Sequence, residues 1–319
     1  MTGGGRGRGP SVPASTSVAP APALAPASAA AVRAMAPRDA AALLDGLADR
    51  GWPADLRERH GGWILRAASG VTRRANSVLP VGPVDDVDAA LDAAEAFARR
   101  HGIAPCVQVS PASEPADLAA RLAARGYVAE ARTLVQVADA GTVADAVADA
   151  VADADAVVDA VAVAAGAAAD GRPADPALAV RVADEPDDAW LDAWWSVDGR
   201  GGSAELDVAR GILTGGPAVY ADVRERAADG TPARVLATAR LALVGGWGGL
   251  YSVATRSEAR RRGLSRAATA AAVAAGRERG VTALWLQVVE ENAGARALYA
   301  ALGFATASRY EYWTGPTSR

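Results

Sequence analysis

The 319-residue chain has no lysine, one cysteine (Cys106), two histidines (His60 and His101) and two phenylalanines. Each scarcity closes off some chemistry. A single cysteine cannot form an internal disulfide, and its rarity fits a reducing cytoplasm, where the protein is expected to reside. The histidines lie far from any ligand-like spacing, so a His/Cys metal cluster is excluded and no metal is expected. His101, beside Gly102, reads as a helix-end residue. No apolar run resembles a transmembrane helix, and no membrane partner is expected. The basic charge rests wholly on arginine; beside so much alanine, this reflects a GC-rich genome, not function.

Apolar residues make up 51% of the chain, many of them alanine, so large core side chains are scarcer than that figure suggests. The formal net charge is -4 and the isoelectric point about 5.4. No global positive field favours nucleic acid, so any phosphate binding must be local.

Composition divides the chain into four parts. Residues 1–37 are rich in alanine and proline and read as a disordered tail. Residues 38–137 alternate helical and strand patterns: a helix in "DAAALLDGLADRG", strands at Trp63–Arg66 and Ser77–Leu79, and an amphipathic helix in "DDVDAALDAAEAFARRHG". There follow a strand in "IAPCVQVS", a helix capped by Ser113 and a strand in "AEARTLVQV". Residues 138–175, built from Ala, Val and Asp, read as a linker. Residues 176–319 form the second structured region. Its latter part echoes the first: Gly102 answers Gly280, Gln108 answers Gln287, and Gly126-Tyr127 answers Gly303-Phe304.

The chemistry concentrates in "EARRRGLSRA", residues 258–267, between a strand and a helix. The first turn of a helix carries unpaired N–H groups and the positive end of its dipole. Gly263 lets the backbone approach an anion, Arg260, Arg261, Arg262 and Arg266 add charge, and Ser265 can cap the helix. Such a loop suits a pyrophosphate. It is neither a P-loop, since the Lys-Ser/Thr ending is absent, nor the three-glycine dinucleotide fingerprint. A solvated charge run is the competing reading. The first region has the acidic "LPVGPVDD" at the equivalent place.

With its surroundings, the motif resembles the GNAT acyltransferase superfamily. There a strand leads into Gln/Arg-x-x-Gly-x-Gly/Ala, matched here by Arg260-Arg261-Arg262-Gly263-Leu264-Ser265, with serine departing at the last position. A second element matches downstream in Asn292, Ala295, Leu298, Tyr299, Gly303 and Phe304. The resemblance covers about Ala177 to Trp313. It implies an α/β fold with a mixed sheet, the GNAT acyltransferase fold, as a degenerate N-terminal and an intact C-terminal domain in tandem. It also implies acetyl-CoA as co-substrate and a primary amine as acceptor. The loop 260–266 would hold the donor's pyrophosphate, with Val253, Ala254 and Asn292 as further contacts. A backbone N–H near Ser252 or Val253 would stabilise the oxyanion. Tyr299 would protonate the leaving thiolate.

The general base is open. The strand before the loop, "LYSVAT", holds no acid; Glu290, Glu291 or a water relay could substitute. Asp198 and Arg200 are candidates to face the acceptor, as are Arg73, Arg74 and Asn76, while Trp190 and Trp194 read first as core. Cys106 lies outside the region of the motif, which favours direct attack over an acyl-enzyme. The rival is a CoA-binding sensor or scaffold without turnover. Nucleic acid is not expected as a partner, and whether the chain forms a homodimer is left open.

Overall fold

A computed structural model describes residues 27–152, 178–226 and 232–316. The first half comprises α1 (Ala29–Ala34), α2 (Pro37–Gly51), β1 (Leu56–His60), β2 (Trp63–Ala67), β3 (Val78–Pro80), α3 (Val87–Arg100), β4 (Cys106–Val109), α4 (Leu118–Ala124), β5 (Val128–Asp139) and α5 (Ala140–Ala152). The second comprises β6 (Leu178–Ala183), α6 (Asp188–Asp198), α7 (Ser203–Thr214), β7 (Ala218–Arg226), β8 (Pro232–Val244), β9 (Trp247–Thr255), α8 (Leu264–Glu278), β10 (Ala283–Val289), α9 (Ala293–Ala301) and β11 (Ala305–Thr314). Among these residues no helix is long and apolar enough to cross a membrane.

All eleven strands join one mixed sheet, in the order β1-β2-β3-β4-β11-β5-β10-β9-β8-β7-β6. The centre of this order is reciprocal. β5 of the first half pairs antiparallel with β10 of the second, from Ala283↔Asp139 to Val289↔Thr133. β11 of the second half pairs antiparallel with β4 of the first, from Glu311↔Val109 to Thr314↔Cys106. β5 and β11 pair with each other. Each half therefore lends its last strand to the other. The sequence echo is a structural one: α3-β4-α4-β5 repeats as α8-β10-α9-β11, and Gln108 and Gln287 stand on the matching strands β4 and β10.

The exchange merges the hydrophobic cores. One apolar cluster joins Leu44, Leu47 and Trp52 of α2 and its exit to Trp190 and Trp194 of α6 and to Trp285 of β10. A second lies beneath α8, whose buried face is mostly alanine. Such small side chains bring the helix close to the sheet; a Cβ on Gly276 would stand 2.3 Å from Leu241. A third, around Trp63, Leu91, Phe97 and Leu118, belongs to the first half.

Several expectations change. The tail expected over residues 1–37 ends earlier, because 29–34 are helical and bury Ala29 and Val32; residues 1–26 lie outside the described residues. The start of the expected linker is ordered. β5 runs through Asp139, and Ala140, Val143 and Val147 join the core with Leu284, Leu302 and Phe304. The pairing of β5 with β10, a partner far away in sequence, fixes where α5 begins; residues 153–175 of the expected linker lie outside the described residues. Ser113 does not cap the fourth helix, which begins at Leu118 after Asp117. Its hydroxyl instead accepts from the Ser110 amide, closing the preceding turn. Ser265 does not cap α8 either, since it lies inside the first turn and the capping position is Gly263. β1, an exposed edge strand reading LRERH, carries no apolar alternation and was not anticipated.

Candidate active site

The site begins where two parallel strands part. β9 pairs with β10 from Ala283↔Trp247 to Leu286↔Leu250, and the ladder ends there. Beyond it, β10 stays with β5 and β9 stays with β8, so a wedge opens between them. Glycines at 248 and 249 let large side chains cross the strand at its base: a Cβ on Gly249 would stand 2.2 Å from the Trp285 indole. That indole donates from Nε1 to the Tyr251 hydroxyl at 3.2 Å.

A β-bulge shapes β9 inside the wedge. Thr238 pairs with Ala254 but Arg240 with Tyr251, so Ser252 and Val253 together oppose one residue of β8. Ser252 takes a positive φ of 51°. The buried Thr238 hydroxyl donates to the Ser252 carbonyl at 2.9 Å. This turns the carbonyl toward β8. In a planar trans peptide the following N–H points the opposite way, so the Val253 amide faces the side from which β10 has diverged.

The wedge widens into a cleft of about 390 Å³ walled by both halves. The first half contributes Trp52, the turn Val71–Arg74, Ala131 and Thr133; the second contributes β9 from Leu250 to Ala254, Gln287–Val289, Asn292 and Tyr299, with Asp198 and Arg200 at the end of α6. Four polar atoms of cleft residues are buried without a protein hydrogen-bond partner: Arg74 Nε, Trp194 Nε1, Ser252 Oγ and Gln287 Oε1. Such groups are costly in a folded protein unless a ligand or solvent meets them. Tyr299 stands on α9 with its ring edge-on to Phe304, the centroids 5.9 Å apart. Burial pushes its phenol up to about 12, so it stays protonated at neutral pH. Asn292 caps α9 by accepting from the Ala295 amide at 3.0 Å.

Past β9 the chain enters the arginine–glycine loop. Arg256 anchors its base through the Val235 carbonyl and Asp192. Arg261 and Gly263 both have positive φ, 62° and 76°, and residues 260–263 are exposed. No side chain caps α8, and nothing lies within 4 Å of where a Gly263 Cβ would be. The first-turn amides of α8 are therefore free of side-chain caps beside an exposed loop, a cradle suited to a diphosphate. The equivalent helix of the first half is closed. Asp86 caps α3, its carboxylate accepting from the Asp88 and Ala89 amides at 2.9 and 3.1 Å. A carboxylate already occupies the place an anion would take.

Ser252, Val253, Ala254, Asn292 and Tyr299 thus come together on one cleft. Residues 260–266 continue from β9 but do not line it. Glu290 does not line it either; its carboxylate faces Arg132 at 3.5 Å. Asp198 is the one carboxylate on the cleft wall among the described residues. Trp190 is wholly buried and donates to the Ala221 carbonyl, whereas Trp194 is both core and cleft wall. Asn76 stays out of the cleft and braces the turn that carries Arg74. Thr238, Tyr310 and Tyr312 were not singled out from sequence. The two tyrosines reach the cleft only because β11 crosses into the first half, and nothing local signals that.

Comparison with known proteins agrees with this geometry. The family described as "Probable histone acetyltransferase Rv0428c C-terminal" matches residues 42–313, across both halves. An uncharacterised N-acetyltransferase of Bacillus subtilis, YobR, is 24% identical over 284 residues, covering 86% of this chain and 98% of that protein. A GCN5-related N-acetyltransferase from Kribbella flavida superposes with a TM-score of 0.58 at 18% identity, covering 87% of this chain and 96% of the other. A tandem GNAT protein from the clavulanic acid biosynthesis pathway superposes with a TM-score of 0.52 at 17% identity, covering 86% and 89%. An eleven-strand sheet with a splayed parallel pair, an open helix N-terminus after it and a match over 42–313 lead to one conclusion: the chain belongs to the Rv0428c C-terminal family, within the GNAT acetyltransferase superfamily.

Proposed function

We propose that this protein is an acetyl-CoA-dependent N-acetyltransferase of the cytoplasm that acetylates a primary amine by direct attack in a ternary complex. The observation that carries the reading is the meeting of the Ser252–Val253 bulge and the Tyr299 phenol on one cleft. The open first turn of α8 would hold the diphosphate of the donor, whose thioester supplies the acetyl group. Arg260, Arg261, Arg262 and Arg266 add charge there, with Asn292 and the edge of β9 at Val253 and Ala254 along the pantetheine arm.

A neutral amine adds to the thioester carbonyl, forming the C–N bond and a tetrahedral oxyanion, whose collapse breaks the C–S bond and releases the thiolate. The Val253 N–H would donate to the oxyanion, with the Thr238–Ser252 contact holding the strand that carries it. The Tyr299 hydroxyl donates its proton to the leaving thiolate. The proton lost by the amine passes to solvent at the cleft mouth, where Asp198 stands; Glu290 can serve only through water.

The rival reading, a CoA sensor without turnover, separates at Tyr299. Tyr299→Phe in an enzyme should bind CoA as before by calorimetry while thiol release falls about 10²-fold or more. A sensor would show no acetyl-CoA-dependent thiol release with any amine, and the substitution would change nothing.

A further inference from the structure

We propose that the acceptor is a small amine carrying a carboxylate, and that Arg74 binds that carboxylate within an aromatic pocket of the cleft. This rests on the transferase reading above and adds the acceptor's chemical class.

Arg74 lies on the short turn Arg73–Ala75 and lines the cleft. Its guanidinium carbon stands 5.4 Å from the Trp52 ring centroid and 5.1 Å from that of Tyr251. Its Nε is buried without a hydrogen-bond partner. Among the described residues no carboxylate forms an ion pair with it. A second guanidinium, that of the wholly buried Arg240, stands 5.8 Å from both ring centroids. It donates to the Leu213 and Gly51 carbonyls, again without a carboxylate, and its Nη2 has no partner. Two positive charges thus flank Tyr251 with no negative charge paired to either.

Among the described residues, the buried arginines other than Arg240 are paired. Arg66 meets Asp49 at 3.2 Å, and Arg224 meets Asp222 at 2.5 Å and Asp187 at 2.8 Å. Arg73, next to Arg74, pairs with Glu130. Arg74 is half-buried, held among the rings of Trp52, Tyr251 and Tyr310 with its Nε orphaned and no carboxylate beside it, so at a cleft wall it is open to a carboxylate that arrives from outside. A guanidinium offers a planar fork of donors that fits a carboxylate, and it is always charged.

The turn is built to hold this side chain still. The Asn76 side chain accepts from the Ala68 and Gly70 amides at 2.7 and 2.9 Å, and donates to the Val71 and Thr72 carbonyls at 2.8 Å each. The Trp52 indole donates to the Thr72 hydroxyl at 3.0 Å. Arg200, also on the cleft wall, adds positive charge, against the single carboxylate of Asp198. A basic peptide tail, the acceptor that the family description suggests, would meet repulsion there. A small anionic amine would be drawn in, and about 390 Å³ is room for one.

The test compares matched acceptors by acetyl-CoA-dependent thiol release: amino acids, their carboxamides and a lysine-rich peptide. For the wild type, kcat/KM should favour at least one acid over its carboxamide by 30-fold or more. In Arg74→Gln that ratio should fall to within about 3-fold of one, while the acetyl-CoA Kd and the melting temperature stay close to wild type; Arg74→Lys should recover part of the preference. Binding gives a readout independent of turnover: N-acetylamino acids should titrate into the wild type and not into Arg74→Gln. Equal rates on acid and carboxamide, a preference for the basic peptide, an unchanged ratio in Arg74→Gln, or no binding of any N-acetylamino acid would each overturn the proposal. Failure of the transferase reading looks different: no acceptor of any class, acid, carboxamide or peptide, would give acetyl-CoA-dependent thiol release.

Discussion

Gly263→Ala isolates the loop's role because the structure separates its two costs. Gly263 sits at φ 76°, ψ 1°, and an added Cβ would meet nothing within 4 Å. Folding therefore pays only for alanine in a left-handed conformation, about 1 kcal/mol. For a chain of this size that lowers Tm by roughly 1–2 °C. Donor binding would lose more. The methyl group would stand where a diphosphate must approach, and losing one hydrogen bond to a charged group costs about 1.5–3 kcal/mol, or roughly 10- to 100-fold in Kd. Gly280, just beyond the other end of α8, supplies the control: its φ is 84° and its Cβ position is equally open. Calorimetric titration with CoA should show Gly263→Ala weakened and Gly280→Ala unaffected, with both melting about a degree or two lower. Equal CoA affinity in wild type and Gly263→Ala would refute the assignment of the diphosphate to this loop.

Other outcomes follow from the same geometry. Thr238→Val removes the donor to the Ser252 carbonyl; it should cost about 1–2 kcal/mol in urea unfolding and lower kcat tenfold or more, with the acetyl-CoA Kd little changed. Since burial pushes the Tyr299 phenol up to about 12, its donor form persists through the neutral and mildly alkaline range. The kcat profile should accordingly show no alkaline loss below pH 10 from this residue, and a fall centred near 8 would contradict its role as acid. Burial likewise pushes the Asp45 carboxyl up to about 6, despite hydrogen bonds from Ser110 and Gln108. A raised carboxyl favours the folded state when protonated, so its contribution is full below about 4 and is lost as pH rises through 6. The stability of Asp45→Asn relative to wild type should therefore rise by about 2 kcal/mol between pH 4 and 7 in denaturant titrations; a flat difference would show that Asp45 ionises as it does in the unfolded chain.

The loop and α9 were legible because their chemistry is local. A glycine before an uncapped helix, neighbouring arginines and an Asn-capped helix ending in Gly-Phe all act within a few residues. The same holds for the closed helix of the first half, where one aspartate at the cap distinguishes it from α8. Arg73 and Arg74 could be noted as a basic turn, but their place in the cleft could not be read. It depends on Asn76 bracing a loop against β9, a strand about 175 residues further along the chain. Glu290 attracted attention by its nearness to β10, yet pairing with Arg132 of β5 holds it outside the cleft.

The sequence by itself determined most of the order of helices and strands, the repeat of α3-β4-α4-β5 in α8-β10-α9-β11, and the glycine turn that leaves α8 without a side-chain cap, since period, capping and glycine placement work over one or two turns of chain. Tertiary structure alone decided that β5 and β11 change places, that an alanine–valine–aspartate stretch joins the core, and that the first half supplies the cleft wall opposite Tyr299. The physical reason is that strand partners and shared walls are selected by burial summed over distant segments. No local pattern of side chains records which edge a strand will meet.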